Sequence, residues 1–191
     1  GAAGFIGSHM CDLLLSRNYE VRAIDNLVTG NTKNVIHLKK NKKFKFYKIN
    51  ILEIKNNHKI FKDVKYIFHF AGLGDIVPSI ENPINYLNTN IMGTVNILEG
   101  GRKNNIKKFI YAASSTCYGL AKTPTSEDHS ISTEYPYAFS KYIGEAAVMH
   151  WNKVYKLPVV SIRIFNAYGR RGRTTGTYGA VFGVFLKQKL S

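Results

Sequence analysis

Cysteine is scarce in this chain. Its 191 residues include only Cys11 and Cys117, too few for a disulfide framework and without metal-ligand spacing, which fits a reducing compartment and predicts no metal site. No apolar run approaches the roughly 20 residues needed to span a bilayer, and the first residues lack the charged-then-apolar order of a signal peptide. The expectation is a cytoplasmic protein with no membrane insertion. Acids are few as well: 12 Asp and Glu stand against 27 Lys and Arg, a formal charge of +15. Charge of that size is compatible with nucleic-acid binding, and the densest basic run is Lys39-Lys40-Asn41-Lys42-Lys43-Phe44-Lys45. That run lies between a polar turn and a strand in a chain rich in Lys, Asn and Ile throughout. It reads as a solvated loop, with no nucleic-acid partner.

What is present is one sizeable core, at 45% hydrophobic content, organised by alternating strand and helix patterns. Helices are predicted over 5–17, 81–104, 137–155 and 177–190, with a short one at 56–61. Strands are predicted over 20–25, 44–51, 66–70, 108–113 and 159–165. Alternation of this kind indicates βαβ units, hence an α/β, Rossmann-type doubly wound parallel sheet. The chain opens on Gly1-Ala2-Ala3-Gly4, a turn whose physical role is to follow a strand. The sheet is therefore expected to lack its first strand, and the last helix to be cut short.

Gly1, Gly4 and Gly7 open an amphipathic helix, where free amides and the macrodipole favour a pyrophosphate and a side chain would block its approach. The spacing departs from the G-x-G-x-x-G fingerprint. Asp25 ends the next strand, about 20 residues on, where a carboxylate can accept from both ribose hydroxyls and would repel a 2′-phosphate. With no Arg directly after it, this favours NAD over NADP. The alternative for Asp25 is an acid capping a turn with Asn26. Asn50-Ile51 and Phe70-Ala71-Gly72 fall at the carboxyl ends of strands, where ligands sit in open α/β sheets. His69 is expected to pack inside its strand.

Tyr137 and Lys141 are four residues apart on one helix face. A free Tyr, with a pKa of about 10, takes a hydroxyl proton readily at neutral pH only if a nearby positive charge stabilises the phenolate, and Lys141 can supply that charge. The alternative is a surface Tyr stacked on a Lys stem. The preceding strand ends in hydroxyls, Ser114-Ser115-Thr116. Ser114 can hydrogen-bond a substrate oxygen while Tyr137 removes its proton and hydride leaves carbon for a nicotinamide. Ser115 and Thr116 either satisfy backbone groups or touch substrate.

These residues resemble the extended short-chain dehydrogenase/reductase family (NAD-dependent epimerase/dehydratase). The resemblance is carried by Gly1-Ala-Ala-Gly-Phe-Ile-Gly7, Asp25-Asn26, His69-Phe-Ala-Gly72, Asn90-Ile-Met-Gly-Thr94, Ser114 to Gly119, Tyr137 to Lys141 and Arg163-Ile-Phe-Asn-Ala-Tyr-Gly169. Among its members the chain looks most like the nucleotide-sugar 4-epimerases, which share the Ala-Ala-Ser-Ser pattern and the stretch beginning at Tyr178. The resemblance implies that Ser114, Tyr137 and Lys141 are catalytic. It implies that Gly1, Gly4, Phe5, Ile6, Gly7, Asp25, Asn26, Asn50, Ile51, Phe70, Ala71 and Gly72, with Tyr137 and Lys141, hold NAD. It also implies that Ser114, Ser115, Thr116, Asn166 and Tyr178 face a nucleotide sugar.

Asn90 is expected to support the sheet and site. The resemblance further implies an NAD-binding domain over residues 1–165, the start of a substrate-binding region over 166–191 whose remainder is missing, and a homodimer formed by the helix at 82–104 and the one carrying Tyr137. Dehydratases of the family place an Asp-Glu pair where Ser115 and Thr116 stand, so elimination of water is disfavoured. The expected activity is inversion at C4 of a UDP-hexose or UDP-N-acetylhexosamine. A dehydratase, decarboxylase or reductase of the same family is the alternative, and a dinucleotide-sensing regulator is the non-enzyme reading.

Overall fold

The computed structural model describes residues 1–172 and 181–190, apart from the side chains of Val181 and Lys187. Helix α1 (Phe5–Ser16) starts where Gly4 leaves extended backbone, with no side chain capping its free amides. It stops at Asn18, whose left-handed backbone closes the helix through Asn18 N to Leu15 O and Tyr19 N to Leu14 O, the bonding expected of a left-handed C-terminal cap. Strands β1 (Val21–Asp25) and β2 (Phe44–Lys48) pair in parallel, with Val21 opposite Phe44 and Asp25 opposite Lys48.

After β3 (Tyr66–His69) the chain makes α2 (Val77–Glu81), α3 (Pro83–Leu87), a π-helical turn at Asn88–Met92 and α4 (Gly93–Lys103). The single helix expected over 81–104 is therefore broken twice. Pro83 cannot continue α2 and instead starts α3 at its first turn. At the second break the ladder widens beside Asn90, whose carbonyl accepts from Thr94 Oγ1 at 2.7 Å. Strand β4 (Lys108–Ser114), helix α5 (Pro136–Tyr155), strand β5 (Val159–Ile164) and helix α6 (Val181–Leu190) follow. The segment expected to be a short helix at 56–61 is one 3-10 turn, Lys59–Phe61. In the basic run Lys39, Lys40, Lys42 and Lys45 are exposed, and Lys43 is half-buried with its ammonium bonded to Asn18.

Every strand pair is parallel, with β3 beside β4 and β4 beside β5, so the chain adopts the expected Rossmann-type α/β architecture. The sheet is in two pieces, β1–β2 and β3–β4–β5. Between β1 and β3 lies a cleft of about 450 Å³, lined by residues 21–24 and 65–71 and by Met10, Cys11 and Leu14 of α1. This is where a central strand would run. Each piece has its own core. One joins Ala3, Cys11, Ala23 and Phe44; the other is built on Phe109 and Tyr111 of β4, Leu98 of α4 and Val148 of α5, none of which reaches solvent.

Candidate active site

Strand β4 ends at Ser114, and a 3-10 turn at Ser115–Tyr118 continues from it. The chain therefore delivers a row of hydroxyls to the carboxyl edge of the sheet. Pro136 opens α5 and sets Tyr137 in its first turn, one turn before Lys141. The Tyr137 hydroxyl meets Ser114 Oγ at 3.4 Å, and Ser114 Oγ shares a 2.8 Å hydrogen bond with Thr116 Oγ1. Thr116 thus touches the hydroxyl expected to be catalytic rather than a backbone group.

These side chains line a cavity of about 1020 Å³ that also takes in Gly1, Gly4, Phe5, Ile6 and Gly7 of the glycine turn, Phe70, Gly72, Ser115, Lys141 and Asn166. A Cβ at Gly4 would meet only Gly1 O, at 3.3 Å, whereas one at Gly7 would overlap Gly1 O and lie 2.8 Å from Gly1 C. Gly4 is where the turn opens to the cavity, and Gly7 is where the helix closes on the turn. With uncapped amides at α1 and a cavity leading from them to Ser114 and Tyr137, the residues present fit an extended dinucleotide.

Burial pushes the Tyr137 phenol above its ordinary pKa; the bond from Ser114 offsets part of this and the charge of Asp75 adds to it. Lys141 departs from the expected arrangement. Its buried ammonium donates to Ala112 O and stands 4.4 Å from the centre of the Tyr111 ring, and burial lowers its pKa to about 8, an effect Glu145 opposes. A buried cation takes the nearest carbonyl and aromatic face, so in this geometry Lys141 is not hydrogen-bonded to the phenol.

Asp25 is 6% exposed and lies outside the cavity. Its carboxylate accepts from Ala3 N at 2.9 Å and Leu27 N at 2.7 Å, and a Cβ at Gly30 would come within 2.6 Å of it. The turn-capping role weighed for it is thus present; two oxygens with about four acceptor positions leave room for further donors. Asn26 and Asn50 accept from Val28 N and Leu52 N, as turn residues do. Ile51 packs against Gly93, and with Ala71 it lines the cleft beside β1 rather than the larger cavity. Tyr178 lies outside the described residues.

Two networks brace the side chains of the site, with partners set by the fold rather than by local pattern. Asn90, buried in the π turn, accepts from Leu73 N at 2.8 Å and donates to Leu73 O and to Ser140 Oγ, which donates to Tyr137 O. His69 Nε2 lies 3.0 Å from Thr94 Oγ1, and because Thr94 donates to Asn90 O, His69 must be the donor. Burial holds His69 well below its usual pKa. Separately, Arg163 of β5 pairs with Glu145 of α5 at 3.0 Å and donates to Tyr118 OH at 2.7 Å, fastening the turn after Ser114. Only a lone Arg in an apolar strand hinted at this. Among the described residues, no group of three or more His, Cys, Asp or Glu is placed to hold a metal, and no helix is long and apolar enough to cross a membrane.

Fold and site together define a Rossmann-type domain with a Ser-Tyr pair at the mouth of a dinucleotide-shaped cavity. The chain belongs to the NAD dependent epimerase/dehydratase family, whose model matches residues 1–190. Over its full length it is 38% identical to a Methanocaldococcus jannaschii protein provisionally named a UDP-glucose 4-epimerase, 61% of which it covers. Two solved structures superpose along the whole chain, each at 32% identity and with 61% of the neighbour covered. One is a UDP-N-acetylglucosamine 4-epimerase from Methanobrevibacter ruminantium in complex with UDP-N-acetylmuramic acid, with a TM-score of 0.94. The other is a Bacillus cereus UDP-glucuronic acid 4-epimerase in complex with UDP-glucuronic acid and NAD, with a TM-score of 0.91. The chain thus spans about three fifths of the length of these relatives.

Proposed function

We propose that the protein is an NAD-dependent nucleotide-sugar 4-epimerase, inverting C4 of a UDP-hexose or UDP-N-acetylhexosamine through a transient 4-keto sugar. The observation that carries this reading is the Tyr137–Ser114 hydroxyl pair, 3.4 Å apart in the cavity that begins at the glycine turn. NAD, when bound, supplies the hydride acceptor and donor and, when oxidised, a positive charge near the phenol. The α1 amides and Gly4 would hold its diphosphate; Asp25, Asn26 and Asn50 would meet its adenosine end, and Phe70, Gly72 and Lys141 its other half. Ser114 steadies the C4 oxygen, and Tyr137 takes that hydroxyl's proton and later returns it. Burial and Asp75 hold the phenol protonated in this geometry, so its activation requires added positive charge.

Asn166 lines the sugar side of the cavity, and Tyr178 is assigned there by the family pattern alone. We assign residues 1–165 to the NAD-binding domain and 166–191 to the start of the substrate region. The exposed apolar side chains Ile80, Ile84, Met92 and Phe139 on α2, α3, the π turn and α5 support a homodimer through those helices, and we place the protein in the cytoplasm. The test is incubation of the full-length protein with UDP-N-acetylglucosamine and catalytic NAD. A C4 epimer without net NADH is expected, with turnover lost and NAD binding kept in Tyr137→Phe. NADH build-up or a dehydrated product would overturn the epimerase reading, and an active Tyr137→Phe would overturn the assigned base.

A further inference from the structure

The loop between β3 and α2 brings an acid to the sugar side of the cavity. Residues 72–76 line it together with Ser114, Thr116 and Tyr137. The loop backbone is fixed at several points. Asn90 grips Leu73 at both N and O, Tyr86 donates to Gly74 O, and Ser79 Oγ donates to Ile76 O at 2.5 Å while accepting from Tyr137 N at 3.1 Å. Between these anchors Asp75 has φ 75°, in the left-handed region that Asp and Asn tolerate better than other side chains. A residue held there by its surroundings has a set position, and its carboxylate bears on the Tyr137 phenol.

We propose that Asp75 is a specificity-determining residue of the sugar pocket, favouring nucleotide sugars with an uncharged C5 substituent over uronates, whose C6 is a carboxylate. The inference rests on the nucleotide-sugar reading above. A carboxylate accepts hydrogen bonds from sugar hydroxyls, but a second carboxylate brought beside it is repelled. Of the three cations that line the cavity among the described residues, two are already engaged, and the third, Arg170, is exposed to solvent. Lys141 is buried beneath Ala112 O and Tyr111, and Arg171 is paired with Asp12 at 2.6 Å in a loop that His9 also fastens to α1.

The test compares dissociation constants of UDP-glucose and UDP-glucuronate for the NAD-loaded full-length protein and its Asp75→Asn variant. Asn keeps the shape and accepts the same backbone conformation. The wild type is expected to bind UDP-glucose about tenfold or more tighter, and Asp75→Asn to bring the ratio towards one, chiefly by tightening UDP-glucuronate. An unchanged ratio, or a wild type that prefers the uronate, overturns the assignment. Binding in the expected ratio without C4 inversion would strike the reaction reading and leave Asp75 in place. Failure of the wild type to bind either sugar would remove both.

Discussion

Replacing Lys141 with methionine should stabilise the protein at pH 7 while stopping its chemistry. The ammonium is buried, donates to Ala112 O and stands over Tyr111, yet its pKa falls from the ordinary 10.5 to about 8. That drop corresponds to about 3 kcal/mol of folding free energy forgone whenever the group is charged in both states. The unfolded chain binds this proton more tightly, so between about pH 8 and 10.5 it carries more protons than the fold. Stability from this site therefore rises with pH across that window, and the full penalty applies below it. Methionine fills similar space without the charge and leaves Ala112 O without its donor, at a cost of about 1 kcal/mol. The expected net gain at pH 7 is about 2 kcal/mol, shrinking as pH rises. Urea unfolding of full-length wild type and Lys141→Met, both free of cofactor, at pH 7 and pH 9.5 measures it, with turnover followed in parallel. A variant less stable than wild type at pH 7, or a gap equal at both pH values, would refute the reasoning.

Gly7→Ala would drive a methyl into Gly1 O, so NAD affinity of the full-length protein, read by fluorescence titration, should fall at least tenfold; an unchanged affinity would show that the turn does not hold the diphosphate. Leu98→Ala removes a side chain with no solvent exposure from the larger core and should cost 2–5 kcal/mol, about the range for such truncations. Denaturant unfolding checks it, and a loss under 1 kcal/mol, about what an exposed leucine would show, would contradict the packing.

Local pattern carried much of the site. The glycine turn, Ser114 at the end of its strand and Tyr137 with Lys141 on one helix face follow from strand and helix periodicity, and all of them line one cavity. Periodicity fixes the face a residue occupies but not the partner its polar end finds. Lys141 lies on the expected face, yet its ammonium goes to Ala112 O. Asp25 ends its strand as expected, yet its carboxylate is enclosed by Ala3 N, Leu27 N and Gly30. The contacts that fasten Tyr118 and Tyr137 come from Arg163 and Asn90, 45 and 47 positions away along the chain, beyond any short window. The breaks in the 81–104 helix divide differently: Pro83 was visible, whereas the widened turn at Asn90 depends on what its carbonyl and side chain meet in the folded protein.

The glycine turn also bears on how the molecule holds together. Gly1 and Ala2 donate to Ile24 O at the end of β1, and Gly1 sits so close to Phe70 and Ala71 that a Cβ would lie 2.5 Å from Phe70 C. The glycine turn is therefore in contact with the ends of both β1 and β3. A dinucleotide held on that turn would bind only the folded domain, so cofactor loading and unfolding become one linked equilibrium, and the ligand stabilises the domain as well as reacting in its site.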